Sequence, residues 1–207
     1  MLRIIGRFVA LSVLLAHAGS AMALVDAQVL VGRRWYDWKP DGGTKRGVTS
    51  QEVGVAVHID PIPLVPVAFG ASVVSGSPNK NDLVVDQAAI IQASAEIMAW
   101  VPMVPFVTPY VRVRYPVQGS LATKLKVTEA TTGVEGEFAK TYTISGPQIS
   151  IGAKIPTLPM IKLLIEAGQG METYKSKELK FAGEKLSANE NGDLPSKTVM
   201  FGIEVGL

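Results

Sequence analysis

Lys197-Thr-Val-Met-Phe-Gly-Ile-Glu-Val-Gly-Leu207 alternates without a break. Val199, Phe201, Ile203, Val205 and Leu207 fall on one face of a strand; Thr198, Met200, Gly202, Glu204 and Gly206 fall on the other. Strand side chains switch faces with a period of two, so this is a strand with one oily face. In water such a strand, left with an unpaired edge, invites aggregation. A barrel closed in lipid removes both hazards: every backbone group finds a partner, and the oily face meets acyl chains.

The alternation recurs upstream between two kinds of break. Three breaks are short and proline-rich: Asp60-Pro-Ile-Pro-Leu-Val-Pro66, Trp100-Val-Pro-Met-Val-Pro105 and Ile155-Pro-Thr-Leu-Pro159. Proline lacks the N–H that a sheet ladder needs, so it belongs at strand ends. The others are polar and longer, at residues 39–47, 75–82, 119–140 and 176–196. Between the breaks the spacing predicts eight strands, at 25–37, 50–60, 65–75, 85–99, 106–118, 141–155, 161–174 and 197–207. Long and short connections alternate, as in outer-membrane barrels with short periplasmic turns and long outer loops. The even strand count places both chain ends in the periplasm. The predicted fold class is all-β, an eight-stranded antiparallel up-and-down transmembrane β-barrel. Lys124, Lys126 and Thr128 interleave with Leu125 and Val127, and Thr131-Thr132-Gly133 offers a turn. The fifth and sixth strands are therefore expected to continue above the membrane as a hairpin.

Each predicted strand has a lipid face and a lumen face. Val53, Val55, Val57 and Ile59 oppose Glu52, Gly54, Ala56, His58 and Asp60; Val111, Val113 and Tyr115 oppose Tyr110, Arg112 and Arg114. Ile149, Ile151 and Ala153 oppose Gln148, Ser150, Gly152 and Lys154, and Leu163, Ile165 and Ala167 oppose Lys162, Leu164 and Glu166. Trp35, Tyr36, Trp38, Tyr115, Trp100 and Phe106 lie near strand ends, where interfacial girdles of aromatic rings are expected.

An eight-stranded barrel is just wide enough for its own side chains to fill. Its inward set contains Arg34, Glu52, Glu96, Arg112, Arg114, Glu166 and Glu204. Arg34 and Glu52 fall at similar heights on neighbouring strands, as do Glu96 and Arg112. Buried charges must be paired, so these seven are expected to form an interior charge network. The network fills and rigidifies the barrel, or lines a narrow path that opens when pairs exchange.

The N-terminus carries an independent signal. Arg3 and Arg7 precede an apolar stretch from Phe8 to Ala16, and Ala21-Met22-Ala23 is a small-x-small cleavage site. That is the layout of a secretory signal peptide over residues 1–23, leaving a barrel domain over residues 24–207. The segment holds two of the 20 Lys and Arg and none of the 18 Asp and Glu, so the remaining chain is electrically neutral. No basic stripe argues for nucleic acid. Cysteine is absent, which excludes disulfides and thiolate metal sites. Hydrophobic residues make up 47%, yet no apolar run after residue 23 is long enough for a spanning helix; a membrane barrel reconciles the two.

Catalysis finds little footing. The histidines are His17 and His58, and no serine is placed beside His58 for a triad. No GxSxG, P-loop or dinucleotide fingerprint occurs, and no metal site or cofactor is expected. The terminal strand resembles the C-terminal strand of bacterial outer-membrane β-barrels, with Leu207 where Phe is usual. In architecture the chain from residue 24 onward resembles the OmpA-transmembrane, OmpX and OmpW group of small barrels. The resemblance implies a Gram-negative outer membrane as the site, its lipid as partner, and insertion by the barrel-assembly machinery through the C-terminal strand. It also implies a non-enzymatic role: envelope structure, surface contact with ligands through the outer loops, or passage of small solutes. Two other readings stay open. One is a soluble periplasmic, lipocalin-like ligand-binding barrel with its apolar faces inward. The other is an outer-membrane lipid-modifying enzyme using His58.

Overall fold

The computed structural model describes residues 24–38, 46–61, 65–83, 85–102, 106–128, 135–158, 160–182, 184–187 and 190–206. The expected signal, residues 1–23, lies outside the described residues. Among the described residues ten strands and one short helix follow in order: β1 (Leu24–Trp38), β2 (Arg46–Asp60), β3 (Val67–Pro78), α1 (Lys80–Leu83), β4 (Gln87–Trp100), β5 (Thr108–Thr128), β6 (Glu135–Ser145), β7 (Gln148–Leu158), β8 (Ile161–Phe181), β9 (Glu184–Leu186) and β10 (Asn191–Gly206). β6 and β7 are the upper and lower parts of one wall strand, divided at Gly146-Pro147, where Gly146 takes φ 120° and proline offers no N–H. Counting them as one, the ring has eight antiparallel wall strands, each beside its sequence neighbours, and β10 closes it on β1 from Asp26↔Gly206 to Tyr36↔Ser196.

The stagger of the ring can be followed pair by pair. Starting at Asp26, the partners run through His58, Gly70, Glu96, Arg114, Gln148, Gly170 and Ser196 and return to β1 at Tyr36, ten residues on. A shear of that size on eight strands tilts them by about 40° and sets a bore that side chains fill.

The faces separate cleanly. Val29, Val31, Val53, Val55, Phe69, Ile97, Ile151, Phe201 and Ile203 are exposed on the outer wall, while Arg34, Glu52, His58, Arg112 and Glu204 are fully buried inside. This polarity is the reverse of a soluble ligand-binding barrel, whose oily faces would converge on the bore. Among the described residues no helix is long and apolar enough to span a bilayer; the strands form the apolar belt.

Several strands are longer than the breaks imply. β5 runs on to Thr128 and pairs with β6 from Ser120↔Thr143 to Thr128↔Glu135, so most of the 119–140 break is the expected hairpin rather than loop. Residues 176–196, expected as a long loop, instead hold the end of β8, all of β9 and the start of β10. β5, β6, β8 and β9 thus build a sheet beyond the rim of the long-loop end. A bulge explains why simple alternation misses the upper part of β5. Ala93 pairs with Gln118 but Ser94 with Pro116, leaving Val117 as an extra residue. Below it even-numbered residues point inward (Tyr110, Arg112, Arg114); above it odd-numbered ones do (Leu121, Thr123). The girdle also needs correcting. Tyr36 is buried inside and Trp38 packs beside it, because Tyr36 shares the parity of Arg34; Trp35, Tyr115 and Phe106 remain exposed.

A charge placed in the belt tests its contact with lipid. Val55, 54% exposed, lies mid-belt, whereas Gln51 lies at its upper edge on the same strand face. Val55→Arg is expected to lower the urea-unfolding stability of the vesicle-inserted barrel by roughly 2–4 kcal/mol, and Gln51→Arg by about 1 kcal/mol or less. Equal, small effects at both positions would mean that the wall faces water.

Candidate functional site

The site is the bore itself. Inward side chains come from every wall strand, because each presents its even-numbered residues to the lumen through the belt, and they sort into three polar tiers.

At the short-turn end, Glu204 is the hub. Lys154 Nζ lies 2.8 Å and Lys162 Nζ 2.7 Å from its two carboxylate oxygens, and Asp26 sits 4.0 Å from Lys154. Two ammonium groups face two carboxylates. Gln28 ties this tier to the next: its Nε2 donates to Glu204 (2.6 Å) and its Oε1 accepts from Arg112 Nη2 (2.6 Å).

The middle tier is a four-charge square. Arg114 Nε approaches Glu96 at 2.7 Å and its Nη1 approaches Glu166 at 2.9 Å. Arg112 Nη1 lies 3.3 Å from Glu166 and 3.7 Å from Glu96. His58 Nε2 is 2.8 Å from Glu96, and the Tyr110 hydroxyl donates to Glu166 at 3.0 Å. Gly152 permits that last bond. It pairs directly with Tyr110, and any Cβ there would run into the phenol ring. The ring therefore lies against bare backbone and delivers its hydroxyl to the centre.

The upper tier carries one carboxylate more than its cations. Arg34 Nη2 lies 3.0 Å from Glu52 and its Nη1 2.8 Å from Glu172. Neutral donors make up the difference. Gln92 (3.1 Å), Gln148 (2.8 Å) and Ser196 donate to Glu172, and the Tyr36 hydroxyl donates to Glu52 (3.1 Å). Charge-assisted hydrogen bonds of this kind replace the lost hydration of a buried carboxylate.

Above these tiers the mouth is closed by apolar packing. Tyr36, Val48, Ile90, Leu121, Tyr142, Ile144, Tyr174 and Leu194 form one buried cluster, with Leu83 of α1 let into it. Trp38, Tyr142 and Tyr174 meet edge to face at centroid separations of 5.6–5.9 Å, within the preferred range for aromatic pairs. The gap left between Tyr36, Trp38, Leu83 and Leu194 is about 10 Å³, at the lower limit for a single water.

Arg34, Glu52, Glu96, Arg112, Arg114, Glu166 and Glu204 are therefore all inside and all within ion-pair distance of an opposite charge. Glu96 pairs most closely with Arg114, its cross-strand partner, and only more distantly with Arg112. Sequence reasoning missed Glu172, Gln28, Lys154 and Lys162 as members, and read Tyr36 as interfacial. The signal for Glu172 was available: it continues the inward parity of Leu164, Glu166 and Gly168 on β8. Among the described residues no cluster of His, Asp and Glu has a metal-binding arrangement.

No protein-family model matches the chain, and no curated protein matches it by sequence. Solved structures do. Neisserial surface protein A aligns over 90% of this chain and 98% of its own at 12% identity, with a TM-score of 0.52. A major outer membrane protein from Thermus thermophilus aligns over 90% of this chain and 100% of its own at 12% identity, with a TM-score of 0.54. The chain is a small eight-stranded barrel of the outer-membrane type. At such identity the likeness speaks for the fold, and the outward apolar wall of this barrel agrees with it.

Arg114 holds two of the four central carboxylate oxygens, so its loss is the sharpest test of the tiers. Arg114→Met leaves Arg112 as the one arginine beside Glu96 and Glu166, with His58 and Tyr110 as their remaining close partners, and is expected to cost roughly 3–5 kcal/mol in urea unfolding from vesicles. Adding Glu96→Gln should recover part of that loss. An Arg114→Met barrel as stable as the parent would show that the square contributes nothing.

Proposed function

We propose that this is a closed, non-enzymatic barrel of the outer membrane that serves the envelope as a rigid wall element and a platform for surface contact. The observation that carries the reading is the filled bore, with three polar tiers below and an apolar aromatic plug above. Support for surface contact comes from the sheet that β5, β6, β8 and β9 raise beyond the rim. β5 and β8 are 21 residues long, against 12–15 for β1 to β4. In this reading residues 1–23 are a removable secretion signal, and the barrel-assembly machinery engages β10. Lipid hydrolysis is disfavoured by the state of His58, which is fully buried and engaged with Glu96.

Gated passage of small solutes is the second reading. What favours it is the upper tier, where Arg34 faces two carboxylates and the balance rests on neutral donors that could exchange partners. Planar-bilayer recording separates the two. The folded barrel, verified by heat-modifiable migration on a gel, is expected to insert without discrete current steps. Reproducible unitary steps would contradict the closed reading and favour passage.

A further inference from the structure

The outer wall is not uniform where the oily belt ends. On β3 and β5 the first polar outward residues are Ser75 and Gln118, both neutral. On β1 and β10 they are Arg33 and Lys197, both exposed. Trp35 stands between them: it follows Arg33 on the same face of β1 and is the direct cross-strand partner of Lys197. Neither cation has a hydrogen-bonding or ion-pairing partner among the described residues. Along their own strands the next acids on this face, Asp37 and Asp193, lie four residues further out, about 13 Å along the chain, and the Asp82 carboxylate of α1 accepts from the Thr49 backbone N–H on β2. Two cations at an oil–water boundary, without a partner among the described residues, attract negative charge.

Directly below lies a depression of about 550 Å³ with a mostly apolar lining that includes Val31, Val53, Val199 and Phe201. Arg33 and Trp35 form its upper rim, and Glu52, which also borders it, turns its carboxylate into the bore toward Arg34. Oil below, an amphipathic indole at the rim and two cations above together match a molecule with an acyl chain and an anionic head.

We propose that the wall of β10, β1 and β2 binds one phosphate-bearing lipid of net negative charge, its chain along Val31, Val53, Val199 and Phe201 and its phosphate held by Arg33 and Lys197. The proposal rests on the membrane-embedded reading of the barrel. The two side chains sit on a cross-strand diagonal, spaced roughly 7–8 Å at the backbone, so both can converge on one phosphate. Trp35 supplies the ring against which glycerol or sugar packs. Lipid bound here would brace the closing seam between the first and last strands of the ring.

Native mass spectrometry of the folded chain in detergent, titrated with phosphatidylglycerol or with phosphatidylcholine, tests this. Both lipids carry a phosphate, but choline cancels its charge in phosphatidylcholine; the parent is expected to retain one phosphatidylglycerol at roughly tenfold lower concentration than phosphatidylcholine. Arg33→Gln/Lys197→Gln should abolish that preference, while Arg46→Gln, a basic change beyond the rim, should keep it. Excess inorganic phosphate should displace nothing. Equal retention of both lipids by the parent, an unchanged preference in the double variant, an equal loss in Arg46→Gln, or displacement by free phosphate would each overturn the proposal. Heat-modifiable migration of every variant separates loss of the site from loss of the barrel; a parent chain lacking it would refute the membrane reading itself.

Discussion

Lipid offers no hydrogen bonds, and the remaining features of this molecule follow from that constraint. A sheet can exist in the bilayer only if its first and last strands find each other. Here β1 takes β10 on one side and β2 on the other along nearly its whole length, so neither edge is left open. Closing eight strands with a ten-residue stagger fixes the bore. The bore in turn is too narrow for bulk water, so polar side chains pointing inward must satisfy one another. The charge tiers are thus a consequence of closure as much as of composition.

Within the bore the arrangement follows the cost of burying charge. An isolated ion is expelled or neutralised, whereas a paired and hydrogen-bonded one is tolerated. The middle and short-turn tiers meet this by matching cations to carboxylates. The upper tier, with an excess carboxylate, meets it with amide and hydroxyl donors from Gln92, Gln148, Ser196 and Tyr36. Above it Tyr142, Tyr174 and Trp38 pack through each other's edges and faces. The order from salt bridges to amides to aromatic rings marks where the wall leaves the membrane and the sheet of β5, β6, β8 and β9 begins.

Much of this was legible in the residues, because a period of two survives any error in strand ends. Val53, Val55 and Val57 lie outward and Glu52 and His58 inward wherever β2 is taken to begin. Partners were harder. Sequence spacing compares heights on adjacent strands, but the stagger brings Lys154 and Lys162 to Glu204 across β7, β8 and β10, and it gives Glu96 to Arg114 before Arg112. The bulge at Val117 has one local sign, Pro116 beside it, since a proline inside a sheet belongs at an edge or a bulge; alternation alone does not show that inward parity changes from Arg114 to Leu121. Tyr36 and Trp38 suited an interfacial girdle by their place at a strand end; only the parity of Tyr36 with Arg34 shows that it turns inward.

Each wall strand turns its apolar residues to lipid and its charges to the closed bore. The chain has no cysteine, so single cysteines can be placed at every position from 51 to 59 on β2, spin-labelled, and scanned in vesicles for collision with oxygen and with a water-soluble nickel complex. High oxygen accessibility is expected at positions 53, 55, 57 and 59, low oxygen accessibility at the even positions between, and little nickel contact at either set. Oxygen maxima at the even positions, or nickel contact throughout, would contradict this arrangement.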